Sequence, residues 1–388
     1  MIKTYKCRAK LSVAGHQRLG EIFRLSAELY NAGLESRIDC YRKTGKNRSF
    51  FDQCKELTEV RASIAEFNEV SAILFRGVLS RLDKAYKQFF RHGGFPRFKS
   101  SKRWRTIEKN DRCCKMLKRE GRNLVLKVKG LPRIEVKTER ELPPNALLKA
   151  IRITRKPLRT EVGLSYEMPT LEAKPVVNNP AGIDTEISKR LTLSNGETVE
   201  KRKVDRRRLI LLQRSASRKK KGSNNRRKAV SLLAKEWQRV TDKERNYLHR
   251  LTSEIVRTYD FIAAKRLETK KMLGNRQLAR SIQEQTWGKF AVLLNEKAES
   301  ADVKMVAVNP EGTSQECSSC GAEVKKELSA RVHKCNCGLV LDRDTNAAIN
   351  ILHRGISIAG GKLKQSRMAG RMKEKLEIAP VRPRTVYV

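Results

Sequence analysis

Two cysteine pairs, Cys317-Ser318-Ser319-Cys320 and Cys335-Asn336-Cys337, constrain this chain more tightly than any other stretch. Each pair presents two thiolates from one turn, and four thiolates close a tetrahedral site with no open position for catalysis. Zn²⁺ is therefore the expected occupant, in a short structural ribbon. Gly321 and Gly338 follow the two halves and permit the tight turns. The second half has a single intervening residue, shorter than usual for such a knuckle. His333 is a substitute ligand in principle, although a histidine there is ordinarily exposed. Cys7, Cys40, Cys54, Cys113 and Cys114 show no ligand spacing. A reduced compartment with one metal site fits this usage better than a disulfide framework.

Two acids flank that cluster at a distance. Asp184 follows the short apolar run Ala181-Gly182-Ile183, where a strand would expose it at its tip. Asp344 lies in Asp342-Arg343-Asp344-Thr345-Asn346-Ala347-Ala348, just ahead of a helix-forming run. Separated acids brought together by a fold are what a two-metal nuclease needs. A third acid is expected between them.

The charge points to the same class of partner. Of 388 residues, 85 are basic and 42 acidic, a net charge of +43. A field of that size binds a polyanion through phosphate contacts and counterion release. No run of about eighteen apolar residues suggests a membrane span, and the N-terminus lacks the apolar core of a signal peptide. A cytoplasmic, nucleoid-associated protein is expected.

Periodicity divides the chain. Residues 2–11 alternate apolar and basic as a half-buried strand does. After Gly15, Leu19, Ile22, Phe23, Ser26, Leu29, Tyr30, Gly33 and Leu34 share a helical face, ended by Thr44-Gly45-Lys46-Asn47. A second long helix is expected through Ile64, Phe67, Val70, Leu74, Val78, Leu82, Tyr86 and Phe89, stopping at Gly93-Gly94. From Pro96 the period turns to two, as in Leu124, Leu126 and Val128, with Arg97, Lys99, Lys102, Arg103 and Arg105 at its start as nucleic-acid contacts. The helical block then reads as an insertion in a β-module. Thr170 to Pro180 reads as a linker.

The C-terminal half alternates strands and helices, which implies an α/β domain with a mixed sheet. Leu191 and Leu193 suggest a strand, with a turn at Asn195-Gly196. Arg218, Lys219, Lys220 and Lys221 are nucleic-acid contacts by charge. Trp237 is expected in the core of the following helix. Phe261 to Ala264 reads as a buried strand, then a helix from about Leu278 to Ala298 and a strand at Met305 to Val308.

Several motifs together resemble the TnpB family of transposon-encoded RNA-guided nucleases, relatives of the compact type V CRISPR effectors. They are Gly182-Ile183-Asp184, Trp287-Gly288-Lys289-Phe290, Lys297-Ala298-Glu299, Gly312 to Gly321 and Asp342 to Leu352, with Gly94-Phe95-Pro96-Arg97-Phe98-Lys99 similar in outline. The resemblance implies an α+β multidomain fold: a wedge-type β-barrel (1–14 and 96–178) interrupted by a helical recognition lobe (15–95). A RuvC-like RNase H fold (179–311 and 341–365) with an inserted zinc ribbon (312–340) would follow, then a basic, Pro-rich, disordered tail (366–388). Guide RNA and double-stranded DNA with a short flanking motif are the implied partners.

Family members cut with an Asp-Glu-Asp triad holding two Mg²⁺ ions. Carried onto this sequence, the first Asp is Asp184 and the last is Asp344, with Asp342 as a flanking acid. The strand that normally ends in the middle Glu reads Ile262-Ala263-Ala264-Lys265-Arg266-Leu267, so the ligand position holds Lys265. Thr185-Glu186 also departs from the usual Leu-Gly. The resemblance is thus closest to the nuclease-dead repressors of the family, with Lys265 pairing with Asp184 and Asp344 and Mg²⁺ not bound productively. Two alternatives stay open: an active endonuclease using a displaced acid, Glu311 or Glu268, and a non-guided nucleic-acid-binding protein.

Overall fold

The structure, a computed structural model, describes residues 2–91, 93–110, 114–120, 122–128, 130–138, 147–168, 178–186, 189–202, 205–266, 286–327 and 330–360. The linker expectation over 170–177, the helix expectation for 278–285, Glu268, Cys113 and the tail all lie outside these residues. The chain forms two compact units, Met1–Thr170 and Leu171–Val388.

The first unit is built on a seven-stranded antiparallel sheet in the order β2-β6-β7-β1-β5-β4-β3. Its strands are β1 (Ile2–Lys10), β2 (Thr106–Asn110), β3 (Cys114–Glu120), β4 (Asn123–Val128), β5 (Ile134–Lys137), β6 (Leu147–Arg155) and β7 (Thr160–Glu167). The opening strand lies in the middle, paired with β7 on one side and β5 on the other. Alternation explains which face is covered: Leu124, Leu126 and Val128 of β4, and Ile134 and Val136 of β5, are buried with Cys7 of β1.

Between β1 and β2 come α1 (Val13–Thr44), α2 (Phe50–Ser63), α3 (Ala65–Asn68) and α4 (Ala72–Phe90). Ser12 caps α1 through its hydroxyl, which accepts from the Gly15 N–H. Ser49 and Asp52 form a reciprocal capping box on α2, a device contributing about 1 kcal/mol. This helix carries little apolar periodicity and is not legible as an element from its sequence. The single long helix expected through Ile64 to Phe89 is broken. Ile64 is extended, and Arg61 donates to the carbonyls of Phe67, Asn68 and Val70 at 3.0 to 3.3 Å, ending α3 before α4 begins at Ala72. The apolar spacing runs on through the break because Phe67, Val70, Leu74 and Phe75 all enter one core.

The second unit contains a five-stranded sheet in the order β10-β9-β8-β11-β12. Strands β8 (Pro180–Asp184), β11 (Phe261–Lys265) and β12 (Lys304–Val308) are parallel; β9 (Leu191–Leu193) and β10 (Thr198–Val199) form an antiparallel edge. The turn at Asn195-Gly196 is present, with Gly196 at φ 85°. One sheet face is covered by α6 (Asn224–Thr258) and α7 (Trp287–Ser300), through Leu248, Leu251, Ile255, Phe290 and Leu294 against Ala181, Ile183 and Ile262. The other is covered by α8 (Arg343–Ile358), through Ile351, Leu352 and Ile356 against Phe261 and Ala263. Burying each of these large side chains contributes roughly 1.5–3 kcal/mol. The helix α5 (Arg207–Ser217) pairs with the start of α6. Trp237 on α6 is 45% exposed, contrary to the core expectation. The N-terminal part of α6 packs on α5, and the Trp237 indole stays largely in solvent.

Among the described residues, no helix is long and apolar enough to cross a membrane.

Candidate functional site

Strand periodicity builds the site. In β8, Ala181 and Ile183 face α6 and α7, so Gly182 and Asp184 face α8. In β11, Phe261 and Ala263 face α8, and Lys265 continues that face. The two strands are parallel with Ala264 opposite Ile183, so Asp184 and Lys265 emerge side by side at their C-terminal ends. Glycine at two crossings lets α8 lie flat against them. A Cβ on Gly182 would meet the Ala348 carbonyl oxygen at 2.0 Å, and one on Gly355 would meet the Ala263 Cβ at 2.4 Å. That close seating brings Asp344, in the first turn of α8, to the strand tips.

Lys265 Nζ donates to Asp184 Oδ1 at 3.0 Å. Asp184 is 4% exposed. Burial pushes its carboxyl above the usual carboxylate range; the Lys265 ammonium pulls it back, and the Asp344 charge adds to the rise. The expected pairing of Lys265 with both aspartates is met on one side only. Asp344 is approached instead by Arg343 Nε at 3.4 Å and Arg331 NH1 at 3.8 Å. Arg331 also lies 3.7 Å from Glu186, a nearly buried carboxylate that accepts from the Thr192 hydroxyl. Three carboxylates, Asp184, Glu186 and Asp344, thus lie among three cations. The sequence motifs left Arg331 and Glu186 without a role. Only the departure of Thr185-Glu186 from the family pattern hinted at the second, and nothing flagged the first.

Glu311 does not join this group. It is exposed, and its carboxylate accepts from the Asn309 side chain. Asp342 acts as the helix N-cap, its Oδ1 accepting from the N–H groups of Asp344 and Thr345 at 3.0 and 3.1 Å.

The cysteine module is stitched to the same helix. Asn346 donates to the Glu316 carbonyl at 2.7 Å and accepts from Ser318 N–H at 3.0 Å. One turn on, Asn350 donates to the carbonyls of Thr313 and Glu316. Arg343 reaches back to the carbonyls of Arg331 through its N–H and of Ala330 through its guanidinium. The Asp-x-Asn-Ala-Ala-x-Asn spacing therefore has a mechanical meaning: one acid for the site and two amides, four residues apart, for the module.

Within the module the sulfurs of Cys317, Cys320, Cys335 and Cys337 lie within 4.8 Å of one another. Cys317 and Cys337 are 3.7 Å apart, and Cys320 and Cys335 3.5 Å. A tetrahedron with Zn–S bonds of about 2.3 Å has edges of about 3.8 Å, so the donor set fits zinc. Both turns are knuckles. Gly321 N–H donates to Cys317 O and Gly338 N–H to Cys335 O, with the glycines at φ 76° and 89°. The Cys337 thiol is drawn down to about 7 by the Leu339 N–H and the neighbouring thiols. His333 is fully buried, contrary to expectation, because strand β13 (Val332–Lys334), paired with β14 (Val340–Asp342), turns it inward beside Lys326.

The basic residues singled out from sequence fall in both units. Arg97, Lys99, Lys102, Arg103 and Arg105 are exposed on the segment between α4 and β2. Arg218, Lys219, Lys220 and Lys221 form the turn between α5 and α6, where Arg226 holds the Lys219 carbonyl at 2.8 Å.

A mixed sheet whose parallel strands end in buried charges, next to a four-cysteine module with the geometry to hold a metal ion, defines an α+β protein with a buried polar site. Comparison with known proteins gives that class a family. Residues 287–351 match the family described as "Cas12f1-like, TNB domain", and residues 163–276 match the OrfB_IS605 family, "Probable transposase". A chain provisionally named an RNA-guided DNA endonuclease, from Streptomyces pristinaespiralis, is 32% identical over 88% of this chain and 87% of its own. The similarly named InsQ of Escherichia coli K12 is 28% identical over 74% of this chain and 76% of its own. The fold resembles a solved Cas12f1 in complex with guide RNA and target DNA at a TM-score of 0.55, with 14% identity, 90% of this chain and 98% of that one covered. The mini-RNA-guided endonuclease Cas-phi3 gives 0.51, with 10% identity and 92% of each chain covered. This chain belongs to the TnpB family of RNA-guided DNA endonucleases.

Proposed function

We propose that this chain is an RNA-guided, sequence-specific DNA-binding protein that does not cut, and that it represses transcription by occupying a promoter. The observation that carries this reading is the Lys265 ammonium at 3.0 Å from Asp184. A carboxylate between two Mg²⁺ ions supplies ligand atoms and cancels charge. A charged lysine there supplies neither. At about 4 Å and an effective dielectric near 20, two unit charges repel by roughly 4 kcal/mol, and a divalent ion meets about twice that. The donor set at Asp184 and Asp344 therefore does not fit a two-metal site, and the ion pair balances the buried charge instead.

Guided binding asks for none of those metals. An RNA–DNA heteroduplex is held through its backbone while pairing supplies sequence, and a net charge of +43 suits that task. In this reading the seven-stranded sheet is the wedge, its inserted helices are the recognition lobe, and the second unit is a RuvC-like fold. The cysteine module is then a zinc ribbon. Guide RNA and duplex DNA with a short flanking motif are the partners.

The test is cleavage of a matched duplex in Mg²⁺ by the protein purified with its own RNA, beside a binding measurement and a Lys265→Glu variant. Guide-dependent binding without cuts is expected. Cutting by the unaltered protein would overturn the reading and point to Glu186 as the missing acid.

A further inference from the structure

The first unit holds a cavity of about 600 Å³ between α4 and strands β1, β2, β6 and β7. Its floor is apolar, formed by Leu74, Val78, Trp104 and Ile107, and cations stand around it. Trp104 decides what belongs there. It is 6% exposed, and its ring packs against Tyr30 at 5.6 Å with the Arg81 guanidinium 5.0 Å over it. Yet among the described residues its indole N–H has no hydrogen-bond partner. A buried donor left unpaired is costly and asks for an acceptor. With Tyr30 and Arg81 on the ring, a ligand meets the indole by hydrogen bonding at its edge rather than by stacking.

The surrounding charges narrow the ligand's chemistry. Two acids line the cavity and both are neutralised, Glu108 by Arg152 at 3.1 Å and Glu161 by Arg159 at 2.7 Å and by Lys156. Lys6, Lys84 and Arg81 have no carboxylate partner among the described residues, and the Arg81 guanidinium lies over the Trp104 ring. The site therefore offers a buried N–H donor, an apolar floor and unpaired cations. A bare phosphate would gain nothing from Leu74 and Val78, and an apolar ligand nothing from the cations. A nucleotide uses all three, and the volume lies in the range of ordinary small-ligand sites, about 300–1,000 Å³.

We propose that this cavity seats a single unstacked nucleotide of a bound nucleic-acid strand, its base accepting the Trp104 N–H and its phosphate meeting Lys6, Arg81 and Lys84. Such a pocket adds a contact to one unpaired position of the strand, independent of guide–target pairing.

The full chain is titrated with AMP and CMP, with inorganic phosphate, and with single-stranded RNA and DNA decamers, as wild type, Trp104→Phe and Lys84→Glu. Trp104→Phe keeps an aromatic ring and removes the N–H; Lys84→Glu changes an exposed side chain and leaves the thermal midpoint in place. At least one mononucleotide is expected to bind about tenfold more tightly than phosphate, and each variant to weaken it by about tenfold. A decamer is expected to displace the mononucleotide, and the better competitor of the two identifies the strand. Equal competition by phosphate, affinities unmoved by both variants, or decamers that fail to displace the mononucleotide would each overturn the proposal. These readouts need neither cleavage nor a matched guide, so their failure and that of the guided-binding reading are separately visible.

Discussion

Gly182 and Ala348 stand so close that a single methyl group would part them: a Cβ on Gly182 would lie 2.0 Å from the Ala348 carbonyl oxygen and 2.9 Å from the Leu352 Cβ. The contact fixes where α8 begins relative to the tip of β8, and so fixes the distance from Asp184 to Asp344. Gly182→Ala should destabilise the protein by about 3 kcal/mol or more, in the range of overpacked core substitutions. A denaturant titration checks this. A loss below about 1 kcal/mol would mean that α8 slides freely and that the site tolerates a wider spacing.

The Asp184 carboxyl makes stability depend on pH with a defined sign. Its folded pKa is raised, chiefly by burial and against the pull of Lys265. Its stabilising share is therefore complete below the unfolded value, about 3.9, and is lost as pH rises through the folded value. Lys265→Met removes the pull and lifts the folded value further. The variant should fall behind the wild type increasingly as pH rises from about 4 towards neutrality, by about 1.4 kcal/mol per unit of added shift. Denaturation midpoints across that range give the answer. A gap that stays flat or narrows would mean that the ion pair does not hold Asp184 ionised.

Much of this architecture was legible because period and punctuation agree with it. Strand alternation in β4 and β5, the Asn195-Gly196 turn and the apolar run of β11 each have one plausible structure. The four cysteines carry their geometry in their spacing. What escaped depends on partners far along the chain. Arg61 breaks a helix whose apolar rhythm continues across the break. His333 is buried because of how β13 pairs, and Trp237 is exposed despite its place in the helical pattern. Glu186 is linked to Asp344 through Arg331, 145 residues after it. No local pattern encodes that meeting.

The cysteine module should hold one zinc ion per chain, measured by elemental analysis of the purified protein. Cys317→Ser removes a buried ligand and should abolish stoichiometric binding. Because Asn346 and Asn350 tie the first knuckle to α8, metal removal should also lower the melting temperature of the second unit. Zinc-free protein with an unchanged melting transition would count against a structural metal.

Asn346 is fully buried and bonds to the backbone on both sides of Cys317. Asn346→Ala strands the Ser318 N–H, at a cost of about 1–3 kcal/mol, and takes one of two donors from the Glu316 carbonyl. Glu316 O retains Asn350 as a second donor, so the lower end of that range is expected. The cysteine module should loosen first, seen as faster amide exchange over 313–320 with little change in α6. Uniform exchange throughout the second unit would place the hinge elsewhere.

The turn at Arg218, Lys219, Lys220 and Lys221 offers the cleanest test of charge. Across residues 206–239 there are 13 basic residues and one acid, Glu236, and Arg226 pins the turn through the carbonyls of Ala216 and Lys219. A pinned loop loses little further entropy on binding, so each cation that touches a phosphate should release about one counterion. Replacing all four by Ala removes side chains that make no ion pair among the described residues, so folding should be unaffected. The slope of log affinity against log salt should become shallower by up to about 3.6 for duplex DNA. A slope unchanged within error would show that the turn stays in solvent when nucleic acid binds, and that the phosphate contacts lie elsewhere, with Arg97, Lys99, Lys102, Arg103 and Arg105 the next set to replace.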